Sequence, residues 1–159
     1  MKKTIVISGN TYVDNIIKVN NFQIDGNNKI ANTSTSLGGV FNFLKVLKLS
    51  NHSLFSSLPI KYRYLLKNKP KQPNINISKT TTVSTSTIIS DITKSQRTAF
   101  TEEGTSRDYV YKSSSFYDYH HISYLDNLPC YTSVVLDEIK KNSGFLSADL
   151  CKHDLNNSE

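Results

Sequence analysis

Ser36-Leu37-Gly38-Gly39-Val40-Phe41-Asn42-Phe43-Leu44-Lys45-Val46-Leu47-Lys48-Leu49 is the stretch whose reading decides the fold. Val40, Phe43, Leu44 and Leu47 recur at helical spacing, and Asn42, Lys45 and Lys48 share the other face. The helix opens on two glycines rather than on a Ser or Asp cap. Such a start lets backbone amides come close to a ligand without side-chain interference.

Working outward, residues 4–9 (TIVISG) are a compact, β-branched run closed by Gly9, the signature of a buried parallel strand. Residues 12–19 space Val13, Ile17 and Val19 with polar side chains, as in a half-exposed strand. Asp25-Gly26-Asn27-Asn28 marks a turn before a second exposed strand near 29–35. Beyond Leu49 the pattern weakens. Residues 60–67 are compatible with a helix, and 69–78 suggest nothing regular.

Residues 80–92 (TTTVSTSTIISDI) are nearly all β-formers, and 98–101 are placed to pair with them across a turn at 93–97. Residues 109–119 are ambiguous. A short strand is predicted at 121–125, then a helix over 131–141 with Tyr131, Val135 and Ile139 on one face and Gly144 as its stop. Residues 145–151 (FLSADLC) read as a further buried strand. Strands alternate with helices at both ends around exposed hairpin material. The prediction is an α/β domain: a parallel sheet, flanking helices and a smaller accessory sheet.

Two spacings carry a family resemblance. Asp14 follows Gly9 by five residues, and Gly38-Gly39-Val40-Phe41-Asn42 opens a helix some twenty-five residues later. With the turn at Gly26, the hairpin TIISDITKSQRTAF (87–100) and the runs HHISYLDNL (120–128) and SGFLSADLC (143–151), the chain resembles the N-terminal half of ribokinase-type (PfkB) carbohydrate kinases. The resemblance implies a partial ribokinase-like parallel sheet with a small β-lid, the C-terminal half being absent. Residues 1–151 would be an incomplete substrate-side domain, with lid strands near 12–36 and 80–101, and 152–159 a polar tail.

It also implies the site. Asp14 and Asn42 would hold sugar or nucleoside hydroxyls, with Gly38 and Gly39 allowing close approach of the chain. A carboxylate only accepts, which suits hydroxyl donors, whereas an amide donates and accepts. The lid strands would close over the substrate and exclude water.

The family's phosphoryl transfer relies on a Gly-Ala-Gly-Asp sequence in the other half, with ATP and Mg2+. The six glycines here, at 9, 26, 38, 39, 104 and 144, form neither that motif nor a Walker loop. No catalytic, cofactor-binding or metal-binding residue is therefore assigned, and the chain is expected to be inactive alone. Ser56-Ser57-Leu58-Pro59 stands where the family carries a Gly-Asp element. Asp149 is read as the start of a loop rather than as a catalytic group. No covering helix follows the strand predicted at 145–151, so the sheet is expected to be left uncovered there.

Other chemistries are weaker. Adjacent His120 and His121 would face opposite ways in a strand, and Cys130, Cys151, His153 and His121 lack zinc spacing. The net charge of +6, from 19 Lys and Arg against 13 Asp and Glu, is densest from Lys61 to Lys71 (KYRYLLKNKPK). Tyr62 and Tyr64 between those charges could stack nucleic-acid bases, but the stretch reads first as a solvated helix running into a Pro-broken loop. Two cysteines form no disulfide framework, residues 4–8 are too short for a signal-peptide core, and no window matches a membrane span. A cytoplasmic location is expected. The expected partners are a sugar or nucleoside, and a second copy or a complementary kinase half paired through the lid strands. A non-catalytic sugar-binding or dimerisation module is the alternative to a kinase part. A nucleic-acid binder follows, then a remnant that folds poorly.

Overall fold

The computed structural model describes residues 3–46, 52–67, 75–78, 82–112 and 114–150. Strand β1 (Ile5–Gly9) forms the centre of a five-stranded, all-parallel sheet. Its other strands are β4 (His52–Pro59), β5 (Ile75–Ser78), β8 (Tyr117–Ser123) and β9 (Ser143–Ala148), in the order β5-β4-β1-β8-β9. The run in β1 is continuous because both its faces are covered. Ile7 packs with Leu54, Leu58, Val40 and Phe41 on one side. Val6 packs with Ile122, Tyr131 and Ile139 on the other.

A second sheet, in the order β3-β2-β6-β7, is built from β2 (Thr11–Val19), β3 (Ile30–Gly39), β6 (Ser84–Asp91) and β7 (Gln96–Glu102). It consists of two antiparallel pairs joined by a parallel contact between β2 and β6. The expected hairpin across 93–97 is present. Helix α1 (Val40–Val46) covers one face of the parallel sheet and α2 (Ser133–Lys141) the other.

Several expectations are corrected. β4 and β5 were not anticipated, and β8 begins at Tyr117, four residues before the predicted strand. Residues 60–66 (Ile60–Leu66) form a 3-10 helix. Gly144 lies inside β9 rather than stopping α2, which ends at Lys141 and is capped by Asn142, whose N–H reaches back to the Glu138 and Ile139 carbonyls. β9 is not a buried strand, since Phe145 is 58% exposed. In α1 Phe41, left off the predicted apolar face, is fully buried; Leu47–Leu49 of the predicted helix and the tail at 152–159 lie outside the described residues.

At the far end of the second sheet the Asp91 carboxylate, 4% exposed, accepts N–H groups from Asn21, Phe22, Thr93 and Lys94 at 2.6–3.1 Å. These bonds tie the β2–β3 loop to the β6–β7 turn. Burial works to raise its pKa, but the backbone donors outweigh it and hold the carboxyl below its ordinary value. A depressed carboxylate stabilises above its unfolded pKa, and that stability is lost as pH falls through the folded one. Asp91→Ala is expected to lower the thermal midpoint, and Asp91→Asn to flatten its fall in acid, as calorimetry across that range will read.

Candidate functional site

β1 passes into β2 through the single residue Asn10, so β2 leaves the carboxyl edge of the parallel sheet and rises into the second sheet. In open α/β sheets that edge is where ligands collect. Tyr12 and Asp14 point to one face of β2, because side chains alternate along a strand. Val13 turns the other way into the core.

Asp14 and Gly38 meet across the β2–β3 ladder: a Cβ on Gly38 would run into the Asp14 carboxylate. Gly39 follows in the left-handed region at φ 61, where a Cβ would strike the Asn10 carbonyl. That same carbonyl accepts the Val40 N–H at 3.0 Å, fixing the sharp passage from β3 into α1. Asn42 lies, half-buried, in the first turn of the helix so positioned. The geometry thus joins Asp14, Gly38 and Gly39 directly, and places Asn42 three residues beyond Gly39.

The register adds residues the sequence did not single out. Asp14 pairs with Ser36 on β3 and with Ser86 on β6, and Ser86 pairs with Thr101 on β7. A hydrogen bond of 3.2 Å between the Ser86 and Thr101 hydroxyls shows that these two share a face. One row across the second sheet therefore carries hydroxyl, carboxylate, hydroxyl and hydroxyl. No local pattern reveals it, because the row comes from long-range register.

Below Asp14, Tyr12 is buried, its OH accepting from Asn127 Nδ2 at 3.3 Å and its ring meeting Tyr124 edge-on at 5.8 Å. Tyr124 closes β8 in the left-handed region at φ 57. Its N–H donates to Asp149 Oδ1 at 2.6 Å, and Asp149 also exchanges backbone bonds with Ile122 and Leu125. Asp149 therefore acts as the loop-starting residue its position suggested.

The two histidines do face opposite ways. His120 Nε2 lies 2.7 Å from Ser8 Oγ, and burial, reinforced by the neighbouring His121 charge, pushes its pKa down to about 4. His121 sits on Phe43 at 4.1 Å, with Nδ1 2.9 Å from Ser147 Oγ and Nε2 3.6 Å from Asp149 Oδ1. Desolvation lowers its pKa, and Asp149 opposes that only in part.

Among the described residues no group of three His, Cys, Asp or Glu is gathered to hold a metal, and no helix is long and apolar enough to cross a membrane. Cys151 and His153 lie outside the described residues, as do Lys69 and Lys71 of the basic stretch. Tyr62 is turned towards the core and has Lys61 Nζ 5.0 Å from its ring centre, while Tyr64 is exposed. The two tyrosines therefore do not form a shared stacking face.

The architecture is that of the ribokinase-like fold. The chain is similar to the ribokinase of Giardia lamblia, with 18% identity and a TM-score of 0.64 over 98% of this chain and 53% of that one. It is similar to the nucleoside kinase of Burkholderia thailandensis solved with inosine, with 12% identity and a TM-score of 0.65 over 91% and 52%. The nucleoside kinase of Methanocaldococcus jannaschii, an archaeal member of the ribokinase family, aligns at 20% identity and a TM-score of 0.62 over 92% and 60%. This chain thus spans about half the length of the structures it matches. No sequence-family profile matches it, and neither does any curated protein sequence.

Proposed function

We propose that this chain is the substrate-holding part of a sugar or nucleoside kinase of the ribokinase type. The observation that carries the reading is the Asp14 carboxylate, laid against Gly38 in a row with Ser36, Ser86 and Thr101. A fixed acceptor flanked by hydroxyls is chemistry suited to a ligand presenting several hydroxyl donors. Asn42, on the helix entered through Gly39, offers an amide that can donate and accept. The comparison structures include a nucleoside kinase solved with inosine, which fits this ligand class.

The transfer step is proposed to lie outside this chain. ATP and Mg2+ chemistry needs a phosphate cradle, charge neutralisation and a base on the accepting hydroxyl. The sequence carries neither Gly-Ala-Gly-Asp nor a Walker loop, and Asp149 is engaged in holding the β8 loop. In this reading the residues described here bind and orient the ligand. A cytoplasmic location belongs to the same reading.

Calorimetric titration with pentoses, hexoses, nucleosides and ATP tests it. Binding of a sugar or nucleoside that is lost in Asp14→Ala, without binding of ATP, is the expected result. ATP binding without a hydroxylated ligand would overturn it. Gly38→Ala provides a finer check. The added methyl displaces the carboxylate, a flexible side chain, so the fold should tolerate it. Losing one charge-assisted hydrogen bond, roughly 1.5–3 kcal/mol, should weaken binding by about 10- to 150-fold.

A second reading, pairing through the lid, is favoured by one observation. β7 is the edge of its sheet and is exposed along its whole length, with Phe100 61% exposed. Such an edge is a template for a second copy or a complementary kinase half. Analytical ultracentrifugation of wild type against Ala99→Pro, which removes an N–H on the open side of β7 and so blunts the edge, is expected to show loss of a dimer.

A further inference from the structure

We infer that Asn10 is a positioning residue that sets the angle of the lid over the parallel sheet, and with it the placement of Asp14 relative to Asn42. Asn10 is 1% exposed and is the sole link between β1 and β2. The core-side ends of all four described lid strands converge on it. β2 begins at the next residue, Thr11. β3 ends at Gly39, and the following Val40 N–H donates to the Asn10 carbonyl at 3.0 Å. β6 begins at Ser84, whose Oγ accepts from Asn10 Nδ2 at 3.0 Å. β7 leads into the turn at Thr105–Asp108, where Ser106 Oγ donates to Asn10 Oδ1 at 2.8 Å.

An amide suits this position because it donates from one end and accepts at the other, both in a buried setting. Ser84 and Ser106 reinforce it: Ser84 Oγ also accepts the Gly104 N–H at 3.0 Å, and Ser106 Oγ accepts the Ser84 N–H at 3.2 Å. On the opposite side Ser56 Oγ donates to the Gly9 carbonyl and, its one proton being used, accepts from Thr11 Oγ1, both at 2.7 Å. The junction is thus a buried polar cluster at which two sheets meet, rather than an apolar seam. Hinges are commonly a few residues at element ends that absorb a change of angle. Here the side chain of Asn10 bonds the start of β6 to the turn that follows β7 at that point.

The consequence reaches the site through the strand. Asp14 lies four residues beyond Asn10 on β2, about 13 Å along an extended chain. Asn42 stands on the helix whose first N–H is bound by the Asn10 carbonyl. One residue therefore references both groups. Its importance for a ligand rests on the reading of Asp14 given above, whereas the lid angle can be measured with no ligand present.

The test is a spin-label distance between Lys18→Cys on the lid and Asp137→Cys on α2, both exposed positions, with Cys130 and Cys151 replaced by Ser. Lys18 lies eight residues from Asn10, about 27 Å along the strand, so a swing of about 10° moves the label by about 5 Å. The intact protein should show one narrow distance. Asn10→Ala should shift and broaden it by about that amount, with Ser84→Ala and Ser106→Ala each giving a smaller effect. A folded Asn10→Ala protein with an unchanged distance would overturn the inference. Where Asn10→Ala fails to fold, the two serine variants decide: broadening supports the inference, and unchanged distances in both refute it. Loss of Asp14-dependent ligand binding together with a shifted distance would join the two readings. A shifted distance in a chain that binds no sugar or nucleoside would leave the hinge standing and remove only the ligand assignment.

Discussion

Gly39→Val should destabilise the protein by about 3 kcal/mol or more, the sum of left-handed backbone strain and a packing clash. Gly39 adopts φ 61, which a β-branched residue resists. Its Cβ would also meet the Asn10 carbonyl oxygen, a backbone atom already engaged by the Val40 N–H. That neighbour cannot rotate away as a flexible side chain could, so either the β3–α1 passage opens or the junction at Asn10 moves. Denaturant unfolding, read as the midpoint at unchanged slope, measures the cost. The contrast with Gly38→Ala is informative. There the obstructing group is a carboxylate that can swing aside, so binding should suffer while stability is largely retained.

Acid should unfold the chain through His120. In the folded state its pKa is about 4, against an ordinary 6.5, because burial disfavours the imidazolium and the His121 charge adds to that. It is enclosed by Ser8 and by the Tyr111 ring, whose centroid lies 4.6 Å away. The unfolded chain therefore takes up the proton first. Stability is full above pH 6.5 and is lost as pH falls from 6.5 towards 4. The shift corresponds to roughly 3 kcal/mol, large beside the 5–15 kcal/mol typical of whole domains. His121, also depressed, contributes in the same direction. His120→Gln, which keeps a polar partner for Ser8 but does not titrate, should flatten the profile over that window even if it lowers the plateau. An unchanged profile in that variant would show that other groups govern the acid transition.

What could be read from the sequence divides on physical lines. β1 was legible because a centrally placed parallel strand is apolar on both faces, and α1 because a glycine pair announces a helix whose periodicity follows at once. The β6–β7 hairpin was legible from β-branched residues around a turn. β4 was not, since its centre carries Ser56 and Ser57, both fully buried. Ser56 is accommodated by donating to the Gly9 carbonyl, a contact between residues 47 positions apart that no local window contains. β5 has four residues and follows a Pro-broken stretch, too short for periodicity to register. β9 was given the burial of an interior strand, yet it forms the sheet edge.

The site divides in the same way. Asp14, Gly38, Gly39 and Asn42 were marked by a family resemblance that their order and spacing along the chain carry. Ser86 and Thr101 enter only through pairing between distant strands, and Tyr124 and Asn127 through long-range contacts with Tyr12. Asn10, adjacent to a motif residue, carried no local signal either. Its role depends on Ser84 and Ser106, 74 and 96 residues away.

The central claim, a hydroxyl-binding site built around Asp14, is tested most directly by amide chemical-shift mapping of the isotopically labelled chain titrated with pentoses, hexoses and nucleosides. At least one ligand class should shift the amides of Tyr12, Val13 and Asp14 together with those of Gly38, Gly39 and Asn42, and Asp14→Ala should abolish those shifts. Shifts confined to the basic residues 61–67, or a folded chain whose spectrum responds to none of these ligands, would contradict it.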